Sequence, residues 1–179
     1  MKSIKQKHHR RSIRLKGYDY SQSGAYFITI CTQNKKYLFG KIADNEMQLN
    51  DAGEIIDKWW LELKNKFNNI ELDEYVIMPN HFHGIICINT MQSNNIGDII
   101  QQGEHIGSPL HKMIQWFKTM TTNEYIRGVK SDKFPSFEKS LWQRNYYEHI
   151  IRAENELYTI SQYIYNNPYN WRTDELFSE

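Results

Sequence analysis

Apolar and polar residues follow two spacings along this chain, and each spacing predicts its own kind of element. Runs rich in β-branched and aromatic residues predict strands at 26–32, 38–43, 46–49, 75–78 and 81–88. Apolar residues three and four positions apart predict helices at 51–67, 108–127 and 153–167. A short aromatic stretch predicts one further strand around 141–143, at the edge of the sheet.

The order of these elements predicts a single α+β domain. Strands joined by short turns pair antiparallel, and the helices then pack on one side or end of the sheet. We expect an antiparallel sheet of about five strands within residues 24–171. An arm at 1–23 precedes this domain, a polar loop insertion at 89–107 interrupts it, and a tail at 172–179 follows it.

Charge is distributed unevenly between the start of the chain and the remainder. The 179 residues carry a net charge of only +1, yet seven basic residues precede the first acidic one, Asp19. The remaining chain holds 15 basic and 21 acidic residues, so a basic arm precedes an acidic body. Such an arm favours contact with a phosphate backbone, although a solvated tail has the same composition. Its candidate nucleic-acid contacts are Arg10, Arg11, Arg14 and Lys16.

The composition indicates neither membrane insertion nor secretion. The sequence contains no run of about 18 apolar residues, and no apolar core follows the N-terminal charges. Cys31 and Cys87 stand alone in strand-like runs, without the spacing of a zinc knuckle or a disulfide framework. We therefore expect a protein of the reducing cytoplasm.

Two histidines separated by one residue form the first candidate site. Side chains alternate across a strand, so His81 and His83 should point to one face and Phe82 to the other. Two neutral imidazoles roughly 7 Å apart on one face can bind a single divalent cation. The same pair also fits ordinary polar residues on a strand, and the spacing alone leaves both interpretations open.

A tyrosine and an asparagine in the last predicted helix form the second candidate site. Tyr163 and Asn167 are four positions apart, so they share one helix face. This places a phenol beside an amide oxygen, a hard ligand suited to Mg²⁺ or Mn²⁺. Tyr165 lies roughly 200° further round the helix and cannot share that face. Tyr146 and Tyr147 are the other rival tyrosines.

The two candidate sites together resemble the HUH single-tyrosine transposases, in particular the branch called REP-associated tyrosine transposases. The strings that carry the resemblance are Met-Pro-Asn-His-Phe-His at 78–83 and Tyr-Ile-Tyr-Asn-Asn-Pro at 163–168. Further similar segments lie at 14–20, 26–30 and 142–152, so the resemblance spans nearly the whole chain. Insertion-sequence relatives carry glutamine where this chain has Asn167.

The resemblance implies a fold, a site and a reaction. The fold is a ferredoxin/RRM-like domain, Tyr163 is the nucleophile, and His81, His83 and Asn167 hold one Mg²⁺ or Mn²⁺ ion. The implied enzyme is a single-stranded DNA endonuclease and strand transferase. It cuts a hairpin-containing repeat element through a 5′-phosphotyrosine intermediate and needs no nucleotide cofactor.

The resemblance also concerns the DNA and the cellular setting. Lys118 is similar to a family lysine that approaches the DNA, although its position also fits an ordinary solvated lysine on a helix. Arg144 and Arg152 are further candidate DNA contacts. The chain resembles relatives of both oligomeric states, monomers and homodimers. The implied location is the cytoplasm, in association with the nucleoid, without a membrane partner.

Two other functions remain compatible with parts of the sequence. A non-catalytic single-stranded nucleic-acid-binding protein would also use a basic arm and many aromatic residues. A metallohydrolase with a metal-activated water would need more carboxylate or histidine ligands, and only Asp73 and Glu74 are close in sequence. The combination of two histidines with Tyr163 and Asn167 favours the transposase, because binding alone requires no such set.

Overall fold

Four strands form the antiparallel sheet on which the domain is built. The computed structural model describes residues 23–89 and 109–177 of the chain. The sheet contains β1 (Gly24–Cys31), β4 (Ile70–Met78), β5 (His81–Ile88) and β6 (Tyr147–Ile151). Their order is β4-β5-β1-β6, and each neighbouring pair is antiparallel. The predicted α+β class is therefore confirmed.

Two short strands form a hairpin of their own. β2 (Gly40–Ala43) pairs with β3 (Glu46–Leu49), and the sheet so formed has two strands. Asp44 and Asn45 connect them with φ values of 53° and 64°, the backbone of a tight turn that matches the twist of a hairpin. The main sheet thus has four strands where about five were predicted, because the hairpin strands pair only with each other.

Three helices cover the two faces of the main sheet. They are α1 (Asp51–Lys66), α2 (Pro109–Lys130) and α3 (Glu154–Tyr165). The side chain of Asn50 caps α1 by accepting from the amides of Ala52 and Gly53. α1 and α2 bury their apolar residues in one core with Phe82, while α3 packs Ile164 against Phe27 and Ile85 in a second cluster. The sheet face under α3 is the one that His81 and His83 share.

The prediction of an edge strand at 141–143 is wrong. Trp142 makes only an isolated bridge with Thr32, and the edge strand is β6, where Ala25 pairs with Ile151. Ile150 joins the core beneath α1 and α2, whereas Ile151 joins the cluster beneath α3. Consecutive β-branched residues are therefore covered on both faces, which stabilises β6 as the edge of the sheet.

Within residues 23–89 and 109–177, none of the helices combines the length and the hydropathy of a membrane-spanning segment. The basic arm and all but the first residue of the predicted insertion at 89–107 lie outside the described ranges. The division of the chain into arm, domain and tail stays a prediction.

Candidate functional site

The candidate site lies where the start of β5 meets the end of α3. His81 and His83 are both buried, with 0% and 2% of their surfaces exposed. Their ring centroids are 4.5 Å apart. Phe82 points to the other face, where its ring lies 4.5 Å from that of Trp60. This is the alternation that the His-Phe-His spacing predicted.

Asn80 orients the imidazole of His81. The amide nitrogen of Asn80 donates to the carbonyls of Leu176 and Lys35, at 2.8 and 3.3 Å. Its Oδ1 must therefore accept, and it lies 2.8 Å from Nδ1 of His81. This bond keeps the proton of neutral His81 on Nδ1 and leaves the lone pair on Nε2. A histidine held in this way is prepared to bind a metal ion.

His83 connects the sheet to the tyrosine. Its Nδ1 lies 2.8 Å from the hydroxyl of Thr29 on β1, and its Nε2 lies 3.3 Å from the hydroxyl of Tyr163. When the phenol donates to Nε2, the imidazole proton stays on Nδ1 and is shared with Thr29. Nε2 of His83 thus carries its lone pair toward Tyr163 and His81.

Helix α3 ends earlier than predicted, and Asn167 lies just beyond it. The helix stops at Tyr165 instead of Asn167, because Pro168 disfavours the helical conformation of the residue before it. The backbone amide of Asn167 nevertheless donates to the backbone carbonyl of Ile164 at 3.2 Å, so the chain makes one further, tighter helical turn. Asn167 therefore still faces the site and is only 1% exposed.

Tyr163 is the tyrosine that lies beside the histidines. Its side chain is 46% exposed, and its ring is 5.3 Å from that of His83. Tyr165 is 71% exposed and faces away, as its helical position predicted. Tyr147 contacts Phe27 edge to face at the rim of the same cleft, with the ring centroids 6.3 Å apart. The cleft has a volume of about 850 Å³ and is lined by Tyr163, His83 and Asn167 among others.

Asp174 is the residue at the site that sequence reasoning missed. Its Oδ2 accepts from the side-chain amide nitrogen of Asn167 at 3.0 Å and lies 3.5 Å from the hydroxyl oxygen of Tyr163. One ligand atom each from His81, His83 and Asp174 lie within 4.8 Å of one another, so these three residues could hold a metal ion. Asp174 follows a short 3₁₀ turn (Trp171–Thr173), and no periodicity or motif in the sequence connects it to the histidines.

Two orphaned polar atoms support a cation at this position. Nε2 of His81 and Oδ1 of Asn167 are buried, and neither has a hydrogen-bond partner among the described residues. Buried polar atoms without partners are costly, and a bound cation satisfies both a lone pair on nitrogen and an amide oxygen. The donor set therefore fits a divalent ion that accepts nitrogen and oxygen ligands.

Burial determines the protonation of the site. It lowers the pKa of His81 from 6.5 to about 3 and that of His83 well below its usual value. Both imidazoles are consequently neutral at physiological pH, as metal ligands must be. Burial, followed by the charge of Asp174, raises the pKa of Tyr163 to about 12. The phenol is therefore protonated in this structure.

Acid is expected to destabilise the fold through His81. The folded imidazole stays neutral down to about pH 3, while the unfolded one binds a proton below about pH 6.5. The unfolded state binds more protons between these values, so the free energy of unfolding falls as the pH falls. The loss amounts to about 2 kcal/mol near pH 5 for this histidine. Urea denaturation at several pH values in this window measures it.

A matched pair of variants isolates this effect. His81→Gln should show a shallower dependence of unfolding free energy on pH than the wild type. Gln115→Asn replaces an exposed residue of α2 that does not titrate and should keep the wild-type slope. Equal slopes for His81→Gln and the wild type would contradict the prediction.

Three of the predicted DNA contacts, Lys118, Arg144 and Arg152, lie among the described residues. The ammonium of Lys118 donates to the carbonyls of Gln143 and Arg144, at 2.6 and 3.1 Å, and burial lowers its pKa to about 8. Lys118 thus holds the loop that leads to β6, and Gln143 of that loop lines the cleft. The side chains of Arg144 and Arg152 are exposed. Arg10, Arg11, Arg14 and Lys16 lie outside the described residues.

Comparison with known proteins links the chain to one sequence relative and to transposase structures. No family model matches the sequence. An uncharacterized protein of Haemophilus influenzae is 42% identical over 180 residues, which cover 95% of this chain and 94% of that protein. The solved structure of a REP-associated tyrosine transposase bound to a REP hairpin aligns with a TM-score of 0.52 and 17% identity. This alignment covers 93% of this chain and 74% of that one.

A second solved structure is a putative transposase from Deinococcus radiodurans. It aligns with a TM-score of 0.43 and 18% identity over 86% of this chain and 97% of that chain. The resemblance seen in the sequence is confirmed at the level of the fold by the REP-associated transposase structure.

Proposed function

Because this chain belongs to the same family as the Haemophilus influenzae protein and shares the fold of a REP-associated tyrosine transposase, we propose that it is an HUH tyrosine transposase. It would cut and rejoin single-stranded DNA through Tyr163. Fold alone does not determine function, so the proposal depends on the site.

The observation that carries the proposal is the position of one phenol. The hydroxyl of Tyr163 lies 3.3 Å from Nε2 of His83, beside the buried His81 and Asn167. A candidate nucleophile thus adjoins a candidate set of metal ligands at the wall of an open cleft. A protein that only binds nucleic acid has no use for this arrangement, which is why we favour an enzyme.

His81, His83 and Asn167 would hold one Mg²⁺ or Mn²⁺ ion. Their donors are Nε2 of each histidine and the orphaned Oδ1 of the asparagine. When bound, the ion would polarise the scissile phosphate and offset the negative charge that develops during attack. Asn80 and Thr29 support the two imidazoles from behind and limit the ways in which they can turn.

Tyr163 would form the covalent bond to DNA. A phenol whose pKa is about 12 is a poor nucleophile at neutral pH, so its proton must leave as it attacks. Its oxygen would bond to phosphorus and release the 3′-hydroxyl of the upstream strand, leaving a 5′-phosphotyrosine. Because one phosphate ester replaces another, a second 3′-hydroxyl can reverse the step and join strands without a nucleotide cofactor.

The proposed substrate is single-stranded DNA that contains a hairpin. The transposase with the shared fold was solved bound to a REP hairpin, and the cleft beside Tyr163 is open to solvent. The side chains of Arg144 and Arg152 are exposed, so they can reach the phosphates of a bound strand. We propose the same role for the basic residues of the arm. Lys118 would act indirectly, by holding the 143–144 loop at the cleft. Association as a monomer or a dimer, and location at the nucleoid, stay predictions.

A covalent-adduct assay tests the proposed function. The protein is incubated with Mn²⁺ and end-labelled single-stranded oligonucleotides that each contain one hairpin with single-stranded flanks. We expect a slowly migrating product in denaturing gels that disappears on protease treatment and does not form in EDTA. Binding of the oligonucleotides without any adduct would instead favour the non-catalytic nucleic-acid-binding protein.

A further inference from the structure

Four donors without a charge converge at the proposed metal site. His81 and His83 are neutral imidazoles, Asn167 offers a neutral amide oxygen, and the phenol of Tyr163 is protonated. Hard divalent ions such as Mg²⁺ and Mn²⁺ prefer carboxylate oxygens. Among the described residues, the carboxylate grouped with the two histidines is that of Asp174.

A nearby positive charge makes the need for an anion stronger. The ammonium of Lys35 donates to the carbonyl of Glu175 at 3.1 Å, next to Asp174, and its positive charge opposes a cation at this position. The carboxylate of Asp174 supplies the opposite charge, because one of its oxygens lies within 4.8 Å of a ring nitrogen of each histidine. Asp174 is therefore the group that makes the potential at the histidines more favourable to a cation.

Asp174 belongs to a segment that lies directly against the site. Trp171 packs on His81 with 5.8 Å between ring centroids and on Phe177 with 5.3 Å. The carbonyl of Glu175 accepts from Lys35 at 3.1 Å, and that of Leu176 accepts from Asn80 at 2.8 Å. The same Asn80 side chain orients His81. The side-chain amide of Asn80 thus joins His81 to residues 171–177.

The carboxylate of Asp174 is already held in position. Its Oδ1 accepts from the amide of Leu176 at 2.6 Å, and its Oδ2 accepts from Asn167 at 3.0 Å. Each oxygen of a carboxylate has two lone pairs, so both can accept further partners. The side-chain amide nitrogen of Asn167 donates to Asp174, and this bond fixes the orientation of the Asn167 side chain. Oδ1 of Asn167 is then left without a hydrogen-bond partner among the described residues.

Resting on the proposed metal site, we infer that Asp174 is a fourth metal ligand and that metal binding fastens residues 171–177 over the site. His81, His83, Asn167 and Asp174 belong to β5, the turn after α3 and this last described segment, so an ion held by all four would connect these three parts of the chain. The coupling free energy between the metal and residues 171–177 is the same in both directions. If the ordered segment increases metal affinity, the bound metal therefore stabilises the ordered segment by the same free energy.

Metal titration without DNA tests the ligand. Asp174→Asn keeps the shape and the acceptor Oδ1 but removes the charge, and we expect its Mn²⁺ affinity to fall at least about tenfold in isothermal titration calorimetry. Glu175→Gln removes the neighbouring, exposed carboxylate and should retain wild-type affinity. Equal affinities for Asp174→Asn and the wild type would overturn the inference.

Hydrogen exchange of the unmodified protein tests the coupling independently of any variant. We expect Mn²⁺ to slow exchange of the amides of residues 171–177, above all that of Leu176, which donates to Asp174. In Asp174→Asn this protection should be lost. Unchanged exchange in the wild type at saturating Mn²⁺ would contradict the coupling.

A third variant separates this inference from the proposed function. If His83→Gln abolishes Mn²⁺ binding while Asp174→Asn does not change it, the metal site stands and only the role of Asp174 fails. If the wild type does not bind Mn²⁺ at all, the proposed metal site fails and the inference fails with it.

Discussion

Replacing Tyr163 with phenylalanine is expected to abolish the covalent adduct with single-stranded DNA. The variant keeps the ring that lies 6.1 Å from Phe27 and removes only the hydroxyl beside His83. Removal of a nucleophile lowers the rate by about 10³-fold or more, here to below detection. Binding of the same oligonucleotide, measured by fluorescence anisotropy, should be retained because the packing of α3 is unchanged.

Two further tyrosines serve as matched controls. Tyr165→Phe alters an exposed residue on the other side of α3, and Tyr147→Phe alters the rival at the rim of the cleft. Both variants should form the adduct in the amounts seen for the wild type. If Tyr163→Phe still formed the adduct and Tyr147→Phe did not, the nucleophile would be Tyr147.

Replacing His81 with alanine is expected to remove the metal ion and, with it, cleavage. The substitution deletes one nitrogen ligand and leaves Oδ1 of Asn80 without the donor it now has at 2.8 Å. Losing a partner that only supports a ligand already costs about 10- to 100-fold in metal affinity, so losing the ligand should cost about 100-fold or more. Electron paramagnetic resonance of free Mn²⁺ measures the affinity, and the adduct assay measures cleavage.

The control for this substitution is a histidine outside the site. His149 lies on β6 and pairs with Glu156 at 2.7 Å, so His149→Ala changes a histidine without changing the proposed ligands. It should bind Mn²⁺ as tightly as the wild type. Wild-type Mn²⁺ affinity in His81→Ala would refute His81 as a ligand.

Local patterns in the sequence predicted much of the fold. The alternation around Phe82 and the spacing of Ile56, Trp60 and Leu63 result from burial along one strand face and one helix face. The edge strand was misassigned to 141–143, because aromatic content there imitates a strand. The segment at 147–151 becomes one only when β1 and α3 cover it. Whether this segment forms a strand therefore depends on residues that are close in space but distant in the sequence, and a short stretch of sequence does not contain them.

The candidate site divides in the same way. His81 and His83 were recognisable because two residues on one strand face must point together, and Tyr163 with Asn167 because four residues make about one helical turn. Even the earlier end of α3 did not separate the latter pair, since a tighter turn continues the spiral. These relations are set by backbone geometry over a few residues, which is why the sequence revealed them.

The sequence by itself therefore predicted that His81 lies beside His83 and that Tyr163 lies beside Asn167, and these two pairs are the candidate site residues. Only the tertiary structure decided that the two pairs meet, with Tyr163 lying 3.3 Å from a histidine 80 positions earlier. It also decided that Asp174 joins them and that Lys118 supports a loop. The reason is physical: such contacts depend on the packing of α3 across the sheet, and no periodicity along the chain records which distant residues that packing brings together.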